Sequence, residues 1–591
     1  MKAFMSGNEA LARGAYEAGV HFASAYPGTP STEILENLAT YEGIYSEWST
    51  NEKVALEAAA GASIMGARSL VTMKHVGLNV AADPFFTLAY TGVNGGLVIV
   101  NADDPGMHSS QNEQDNRLYA PHAKVPMLEP SDSEECRTFI KKAFEISEEF
   151  DTPVLLRTTT RVNHSKSILN LNDRLEIPVK TYKKDTLKNV MIPGHAKRKH
   201  PIVEERLKNI EAYNETSALN LRLDYSKNLG IITSGISFQY AREVFKEDAS
   251  YLKLGMTYPL PEKLIREFAA EMREIIIIEE NEPYLETMIK AMGIQCTGKE
   301  VLPICGELNP EIIRDAFFGA SLRKSIQLEG VAPSRPPVLC AGCPHRAMFN
   351  ALSKDKDIIS SGDIGCYSLG AMDPINVTDT VICMGASISA GTGMQKVLDL
   401  QGDKKKKVFS FIGDSTFFHS GMTGLVNSIY NRIPLVTVIL DNRTTAMTGH
   451  QENPGTGLTL LGDPAGIVDI PLLVRSLGIK EENIRVLNPY LQEETKKAVL
   501  DAKEAREPFV IVTTEPCALM KDVQERRKNS YVSINQDECK KCKTCVRTGC
   551  PAIYIKDGNV MINREMCNGC TLCYQVCPFH AIEKKGDLIH A

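Results

Sequence analysis

The stretch VFSFIGDS at residues 408–415, together with LVTVILDN at residues 435–442, decides the fold of the C-terminal half. Each stretch is an apolar run of strand length that ends in polar residues. The segment between them has apolar residues at helical spacing. Strand, helix and strand in this order predict a βαβ unit, whose two strands are parallel and end on the same edge of a sheet. We therefore expect an α/β fold in which Asp414 and Asn442 face one crevice.

Length and composition exclude several classes of protein. The chain has 591 residues, which predicts about four domains. Its 43% hydrophobic and 24% charged residues are typical of a globular protein and exclude a disordered or fibrous chain. The net charge of −7, with only a short lysine run at residues 404–407, argues against nucleic acid as a partner. The apolar runs are far shorter than the ~20 residues of a membrane-spanning helix, and the N-terminus lacks a signal-type stretch, so we expect no membrane association and a cytoplasmic location.

Composition along the chain predicts five regions. The predicted boundaries are 1–165, 166–227, 228–330, 331–525 and 526–591. In the first, third and fourth regions helix and strand signals alternate, which indicates α/β layers. The second region is rich in Lys, Asn and Glu and is interpreted as a linker with one charged helix. The fifth is a small module that holds eight of the 16 cysteines.

The Cys-rich module has the strongest motif of the chain. Its second half is Cys567-x2-Cys570-x2-Cys573-x3-Cys577-Pro578, the bacterial ferredoxin run for a [4Fe–4S] cluster. The last Cys of each run ligates the other cluster, because it cannot fold back onto its own. The two predicted ligand sets are Cys539, Cys542, Cys545 and Cys577, and Cys567, Cys570, Cys573 and Cys550. A pair of zinc knuckles is the alternative, although zinc sites rarely use this spacing.

Asp414 and Asn442 follow the two predicted strands of the fourth region. Their carboxylate and amide oxygens are ligands that Mg²⁺ takes together with phosphate oxygens. Their order resembles the thiamine diphosphate motif Gly-Asp-Gly followed by Asn-Asn, with Ser415 and Asp441 as substitutions. The resemblance implies Asp414, Asn442 and the Thr444 carbonyl as Mg²⁺ ligands. The implied cofactor-binding residues are Gly413, Asp414, Ser415, Asn442, Thr444, Met447 and Thr448. A Gly-Asp-Ser sequence alone would be only a common turn.

Thiamine enzymes use a second α/β domain to supply a Glu to the aminopyrimidine ring. Residues 49–63, STNEKVALEAAAGAS, resemble the helix that begins with this Glu, which places the role on Glu52. Its carboxyl would hydrogen-bond the ring nitrogen and help to deprotonate the reacting carbon. By residue type alone, Glu52 is a helix-start acid favoured by the macrodipole. Glu47 and Glu57 are competitors for the role.

The turn YPGTPST at residues 26–32 resembles the substrate-binding turn of the same enzymes. Free N–H groups at a helix start would bind the carboxylate of a 2-oxoacid, with Gly28 and Thr29 as contacts. The alternative is that Thr29 only caps the following helix, with Pro30 at its first position.

Four further cysteines lie in contexts that resemble a third [4Fe–4S] cluster, the one nearest thiamine in 2-oxoacid:ferredoxin oxidoreductases. They are Cys340, Cys343, Cys366 and Cys517. The first two alone could be structural or bind zinc. The charged stretch at residues 522–530 suggests a flexible tether for the ferredoxin module. A third cluster would bridge the distance between the thiamine site and the clusters of that module. The remaining cysteines are expected to pack as small apolar side chains.

Over its whole length the chain resembles the alpha subunits of the indolepyruvate:ferredoxin oxidoreductases. The implied fold is α/β, with doubly wound thiamine diphosphate domains, a transketolase-C-like domain and a two-cluster ferredoxin-like α+β domain. The implied reaction is oxidative decarboxylation of aryl 2-oxoacids with coenzyme A, with electrons passed to ferredoxin. The implied cofactors are thiamine diphosphate, Mg²⁺ and two or three [4Fe–4S] clusters, and the implied partner is a beta subunit.

Three other functions remain open from the sequence. A related oxidoreductase could prefer a different 2-oxoacid. A nonoxidative thiamine decarboxylase would not need the ferredoxin module. A pure electron-transfer subunit would not need Glu52, Asp414 and Asn442.

Overall fold

The computed structural model describes residues 2–319, 336–353 and 355–586. The chain divides into two compact units, Met1–Glu329 and Gly330–Ala591. The domain boundary predicted at residues 330 and 331 lies outside the described residues. Each unit is built around its own parallel sheet.

The first unit alternates strands and helices. Its strands are β1 (Lys2–Ser6), β2 (Phe22–Ala25), β3 (Tyr45–Trp48), β4 (Ser69–Lys74), β5 (Leu97–Asp103), β6 (Met127–Leu128), β7 (Val154–Thr159), β8 (Lys166–Asn170), β9 (Leu221–Leu223), β10 (Leu229–Thr233), β11 (Ser250–Lys253), β12 (Met256–Tyr258) and β13 (Glu274–Ile278). Its helices are α1 (Gly7–Glu17), α2 (Thr32–Leu38), α3 (Glu52–Ile64), α4 (His75–Val80), α5 (Ala82–Thr91), α6 (Tyr119–Ala123), α7 (Ser133–Phe150), α8 (Thr160–His164), α9 (Thr186–Asn189), α10 (Pro193–Asn214), α11 (Ser237–Phe245), α12 (Glu262–Ala270), α13 (Tyr284–Ala291) and α14 (Pro310–Phe318).

The main sheet of this unit has seven strands in the order β12-β6-β7-β5-β4-β2-β3. All of them pair in parallel except β12. Every residue of β4 and β5 is buried, as expected for strands that helices cover on both faces. The predicted doubly wound α/β fold is confirmed here.

A second sheet of the first unit has four strands in the order β13-β10-β11-β9. β10 pairs in parallel with β11 and β13, whereas β9 is antiparallel to β11. Strand β12, which follows β11 in the chain, pairs instead with β6 of the main sheet. Phe85 and Ile99 of the main layer and Leu252 and Phe268 of the other belong to one hydrophobic cluster. The two sheets therefore share a core.

Residues 166–227, predicted as a linker with one charged helix, contain more structure than that prediction allows. β8 pairs antiparallel with β1, and β9 pairs with β11. The charged helix is α10, which is 22 residues long and buries Val203, Arg206 and Ile210. Local composition does not reveal a strand partner that lies far away in the chain, which is why the pairing is invisible in the sequence.

The second unit also alternates strands and helices, and it ends in short antiparallel strand pairs. Its strands are β14 (Ile358–Gly362), β15 (Thr380–Val381), β16 (Lys407–Gly413), β17 (Val436–Asp441), β18 (Ile484–Leu487), β19 (Phe509–Thr514), β20 (Tyr531–Ile534), β21 (Ile553–Lys556), β22 (Asn559–Ile562) and β23 (Ile582–Lys585). Its helices are α15 (Pro344–Leu352), α16 (Ala386–Gln401), α17 (Asp414–Thr416), α18 (Met422–Tyr430), α19 (Ile470–Ser476), α20 (Gln492–Glu504), α21 (Lys521–Arg527) and α22 (Leu572–Val576).

Six parallel strands in the order β15-β14-β16-β17-β19-β18 form the main sheet of the second unit. Phe409 lies opposite Val436, and Gly413 lies opposite Leu440. The carboxyl ends of β16 and β17 therefore meet at one edge, as the βαβ pattern predicts. Alternate residues of these strands enter two different hydrophobic clusters, one on each face.

The C-terminal part of the second unit is a small α+β module, and its predicted ferredoxin-like class is confirmed. β20 pairs with β23 and β21 with β22, both antiparallel. Val532, Val560 and Ile582 form its core together with Cys545 and Cys573. Across all the described residues, no helix is both long and apolar enough to cross a membrane.

Candidate active site and iron–sulfur centres

The carboxyl edge of the main sheet in the first unit collects the predicted residues of that unit. The turn with Gly28 and Thr29 follows β2, Glu52 follows β3, and Lys74 ends β4. Because β2 pairs with both β3 and β4, these three segments are neighbours. Parallel α/β sheets bind their ligands at this edge.

Glu52 is an inward-facing carboxyl at the start of α3. The helix is capped by Asn51, whose side chain accepts a hydrogen bond from the Val54 N–H at 2.9 Å. Glu52 is only 5% exposed. It packs against Gly77, where a Cβ would lie 2.7 Å from Glu52 Cγ and Oε1. A glycine at residue 77 therefore leaves the room that this carboxyl occupies.

The two competing acids have different surroundings. Glu57 is exposed and forms an ion pair with Lys53 on the outside of α3. Glu47 accepts hydrogen bonds from the hydroxyls of Tyr45, at 2.8 Å, and Ser49, at 3.1 Å. The burial of Glu52 favours it for the predicted role, which stays a prediction.

The turn at residues 26–32 differs from its predicted form. Helix α2 begins at Thr32 and is capped at Ser31, not at Thr29. The Gly28 N–H donates to Thr32 Oγ1 at 2.9 Å, and Ser31 Oγ donates to the Gly28 carbonyl at 2.8 Å. The prediction that Thr29 caps this helix is wrong, because Ser31 and Thr32 close the turn onto Gly28. Thr29 stays partly exposed at the tip.

Lys74 lies beside this turn and is a residue that sequence reasoning missed. A Cβ on Gly28 would lie 3.0 Å from Lys74 Cβ. The ammonium is buried and donates to the Ser109 carbonyl at 2.7 Å. Burial lowers the pKa of Lys74 to about 8, against the attraction of Asp104. The sequence feature that could have revealed it is a lysine at the carboxyl end of strand β4.

Asp414 and Asn442 lie at the carboxyl edge of the second sheet, as predicted. Asp414 directly follows Gly413, the last residue of β16, and Asn442 follows β17. Their exposed fractions are 2% and 6%. Asn453, which sequence reasoning missed, donates from Nδ2 to Asp414 Oδ2 at 3.1 Å. Burial, together with the nearby carboxylate of Asp441, raises the pKa of Asp414.

This edge suits a divalent cation. A buried carboxylate beside a second acid needs a positive partner to stay ionised. Mg²⁺ would supply that charge, and its preferred ligands are oxygens such as the Asp414 carboxylate, the Asn442 amide and the Thr444 carbonyl. Thr444 is buried as well. The donor set fits the predicted metal, and the ligation stays a prediction.

The loop after β17 is held by its own hydroxyl groups. Thr445 Oγ1 donates to Ser415 Oγ at 2.9 Å, which ties the loop to the end of β16. Thr448 Oγ1 donates to Gln451 Oε1 at 2.6 Å, and Gln451 Nε2 donates back to the Thr448 carbonyl at 2.9 Å. Met447 between them is about half exposed. Of the predicted diphosphate residues, Ser415 and Thr448 therefore also shape the loop.

Four cysteines that are far apart in sequence line one cavity of about 80 Å³, which we call the inner cavity. They are Cys340, Cys343, Cys366 and Cys517. His450 also lines the inner cavity, with Nε2 3.5 Å from Cys517 Sγ. So does Asn442, whose carbonyl accepts the Cys517 N–H at 3.0 Å. The structure thus brings the predicted cluster ligands together beside a predicted Mg²⁺ ligand.

The inner cavity is chemically suited to an iron–sulfur cluster. Burial raises the pKa of Cys343 to about 12 and that of Cys366 to about 11. Iron–sulfur ligands are thiolates, so binding would displace these protons. Within the described ranges, no three His, Cys, Asp or Glu side chains form a group that could hold a single metal ion.

The cysteines of the ferredoxin-like module form two groups that match the crossed assignment. Cys539, Cys542, Cys545 and Cys577 line one small cavity, which we call the outer group. Cys550, Cys567, Cys570 and Cys573, which lie close enough to influence one another electrostatically, form the middle group. In the middle group burial raises the pKa of Cys570 to about 11, and the charges of Cys550 and Cys567 add to this effect. Ligation itself stays a prediction for both groups.

The ferredoxin-like module packs directly on the α/β part of the second unit. The stretch predicted as a flexible tether, residues 522–530, overlaps helix α21. Arg527, the last residue of this helix, is buried and forms an ion pair with Glu515 at 2.6 Å. Asn568 of the module covers Gly342, where a Cβ would lie 2.0 Å from Asn568 Nδ2. Tyr490, which is fully buried, accepts from Gln575 Nε2 at its carbonyl. The flexible tether is therefore wrong, because buried contacts fix the module.

Three family models match parts of the chain. The thiamine diphosphate-binding model of pyruvate flavodoxin/ferredoxin oxidoreductases matches residues 13–224. The C-terminal TPP binding domain of thiamine pyrophosphate enzymes matches residues 363–513, and a 4Fe-4S binding domain matches residues 560–583. These matches cover both sheet edges and the second half of the ferredoxin-like module.

Curated relatives match almost the whole chain. Indolepyruvate oxidoreductase subunit IorA of Archaeoglobus fulgidus is 40% identical, over 98% of this chain and 97% of its own length. The subunit of the same name from Pyrococcus horikoshii is 39% identical, over 99% of this chain and 98% of its own length. Among solved structures, 2-oxoglutarate:ferredoxin oxidoreductase from Magnetococcus marinus is 18% identical with a TM-score of 0.45, over 53% of this chain and 64% of that chain. The structural likeness is too weak to support an argument.

Proposed function

This chain belongs to the family of the indolepyruvate oxidoreductase subunits IorA, and from that premise we propose its substrate and its reaction. The chain is an iron–sulfur-coupled 2-oxoacid oxidoreductase. In the proposal its substrates are aryl 2-oxoacids such as indolepyruvate. Oxidative decarboxylation releases CO₂, transfers the acyl group to coenzyme A and passes two electrons through [4Fe–4S] clusters to ferredoxin.

The observation that carries the proposal is the position of the inner cavity. Its four cysteines share the cavity wall with Asn442, a predicted ligand of the Mg²⁺ that binds thiamine diphosphate. A nonoxidative decarboxylase has no use for cysteines beside its cofactor, and a pure electron carrier has no use for a buried Asp414. Their proximity supports an enzyme that takes electrons directly from thiamine chemistry.

In the second unit, the proposed roles concern the diphosphate. Asp414, Asn442 and the Thr444 carbonyl hold Mg²⁺, and Asn453 orients the Asp414 carboxylate. The residues that line the diphosphate are Gly413, Ser415, Met447 and Thr448. When bound, thiamine diphosphate supplies the electron sink that lets the carboxylate leave as CO₂.

In the first unit, the proposed roles concern the aminopyrimidine ring and the substrate. Glu52 holds a proton at the ring nitrogen, and Gly77 gives its side chain room. Gly28 and Thr29 bind the carboxylate of the 2-oxoacid. Lys74, buried beside that turn, adds positive charge for the same carboxylate.

The proposed electron route runs through three groups of cysteines. The first is the inner cavity beside Asn442, and the second is the middle group, whose loop at Asn568 contacts Gly342. The third is the outer group, in which Cys542 is exposed and gives ferredoxin access. The proposed partners are a beta subunit of the same enzyme, ferredoxin and coenzyme A, and the proposed location is the cytoplasm.

The test is anaerobic co-purification with the beta subunit, followed by iron and thiamine counts and by methyl viologen reduction. Indolepyruvate and phenylpyruvate are compared with pyruvate and 2-oxoglutarate, each with and without coenzyme A. We expect about twelve irons per chain, bound thiamine diphosphate, and dye reduction that depends on coenzyme A and prefers the aryl substrates.

Three results would contradict parts of the proposal. Equal rates with pyruvate would remove the aryl preference. Aldehyde formation without dye reduction would indicate a nonoxidative decarboxylase. Iron without any bound thiamine would leave only an electron-transfer subunit.

A further inference from the structure

Arg346 is a buried cation between the inner cavity and the middle group of cysteines. It lies in the first turn of α15, three residues after Cys343. Its side chain reaches the ferredoxin-like module, where Nη1 donates to the Thr548 carbonyl at 2.8 Å, two residues before Cys550. Only 2% of Arg346 is exposed.

The partners of this guanidinium carry no charge. Nη2 donates to the carbonyls of Leu339 and Cys340, the latter at 3.1 Å. Nε is buried and makes no hydrogen bond within the described residues. No carboxylate of a described residue forms an ion pair with Arg346. Arg527, the other buried arginine of this contact, is paired with Glu515.

An unpaired buried guanidinium is costly, so a nearby negative charge must offset it. The candidates are the two groups of cysteines, because a cluster held by four thiolates carries net negative charge. The geometry agrees from both sides. On one side Arg346 lies three residues after Cys343 and donates to the Cys340 carbonyl. On the other, Nη1 lies 3.1 Å from the Cβ position of Gly549, the residue before Cys550.

We propose that Arg346 is a positioning residue whose fixed charge raises the reduction potentials of the inner and middle clusters and so makes both easier to reduce. The proposal rests on the proposed function, since it needs clusters at these cysteines. Each added electron makes a cluster more negative, and a buried cation beside it in a medium of low dielectric stabilises the reduced form. The outer group includes the exposed Cys542, where water screens charge, and its cluster should feel the charge of Arg346 least.

The experiment uses the full chain in complex with its beta subunit, purified anaerobically as wild type, Arg346→Gln, Arg346→Lys and Arg547→Gln. Arg547 is the matched control, because it is an exposed arginine beside Cys542 and its charge is screened by water. Iron is counted first, and redox titration followed by electron paramagnetic resonance then gives the potential of each cluster.

For Arg346→Gln we expect the inner and middle clusters to become at least about tenfold harder to reduce, which is a fall of about 59 mV for one electron. Arg346→Lys should keep most of the wild-type potential, and Arg547→Gln and the outer cluster should not change. Unchanged inner and middle potentials in Arg346→Gln would overturn the proposal.

The amount of iron that the Arg346 variants retain is also part of the test. If Arg346→Gln fails to hold iron but Arg346→Lys holds it, the potentials of Arg346→Lys decide: inner and middle values near those of the wild type support the proposal, and a fall of about 59 mV or more overturns it. If neither variant holds iron, Arg346 is a structural residue and the proposal fails. Wild type with only about eight irons would refute the inner cluster of the proposed function, while the potential of the middle cluster would still test Arg346.

Discussion

The inner cavity and the ferredoxin-like module gather cysteines by opposite means. In the module, eight cysteines lie within residues 539–577, and short loops bring them together. In the inner cavity, Cys366 and Cys517 come from segments about 150 residues apart, at the ends of different strands of one sheet. A cluster site can therefore be encoded locally by spacing or globally by a fold. Spacing alone reveals only the first kind, and the sequence pointed to the second only through a resemblance to known enzymes.

The two sites also differ in their contact with water. Cys542 of the outer group is exposed, and hydrogen bonds from Thr544 lower its pKa. In the inner cavity, burial raises the pKa of Cys343 to about 12. Cys340 of the inner cavity is exposed as well, so the contrast is between single cysteines: the exposed Cys542 suits exchange of electrons with a separate protein, whereas the buried Cys343 suits transfer from a bound cofactor.

The largest effect is expected from Asp414→Ala, which should abolish turnover while leaving both kinds of cysteine site loaded. The buried carboxylate that faces the predicted Mg²⁺ is lost, so thiamine diphosphate should no longer bind. Isothermal titration with thiamine diphosphate and Mg²⁺, together with an iron count, measures this. Asp463→Ala, at an exposed acid of the same unit, is the control. Retained cofactor affinity in Asp414→Ala would contradict the site.

Cys366→Ala tests the inner cavity directly. We expect loss of about four irons per chain and a severe loss of substrate-driven dye reduction, with the module signals unchanged. Cys383→Ala is the control, because Cys383 is exposed and does not line the inner cavity. The prediction that Cys383 and Cys305 pack as small apolar side chains is wrong, since both are exposed. An unchanged iron count in Cys366→Ala would return Cys340 and Cys343 to a structural role.

Glu52→Gln should slow turnover by roughly 10²-fold or more while thiamine diphosphate and all iron remain bound. The amide can still hydrogen-bond the ring but cannot exchange its proton. Steady-state rates with methyl viologen, and thiamine content, separate the two effects. Glu57→Gln, at the exposed competitor, should be neutral. A normal rate in Glu52→Gln would move the role to another acid.

The smallest effect concerns the junction between the two cysteine sites. Gly342→Ala places a Cβ 2.0 Å from Asn568 at a φ of +69°, and we expect about 2 kcal/mol of destabilisation. Thermal loss of the cluster absorption measures it. Gly393→Ala is the control, since nothing lies within 4 Å of its Cβ position in α16 and alanine favours a helix. Equal stability of the two variants would mean that the module does not depend on this contact.

Much of the fold could be predicted because its signals are local. The apolar runs of β16 and β17 and the polar residues after them predict the sheet edge on which Asp414 and Asn442 lie. Other features had no local signal. The pairing of β8 with β1 and of β12 with β6 joins segments far apart in sequence, and the flexible tether was wrong because the contacts that bury Arg527 come from Glu515 and Tyr490.

The sequence by itself determined the parallel α/β layers, the eight-cysteine module and the residues at the carboxyl ends of β16 and β17. These follow from periodicity and spacing, which act over a few residues. Only the tertiary structure decided that Cys366 and Cys517 share a cavity with Asn442, that Gly77 makes room for Glu52, and that Arg346 is buried without a carboxylate partner among the described residues. The reason is physical: burial and the charge that surrounds a group depend on every segment packed against it, and those segments are distant in the chain.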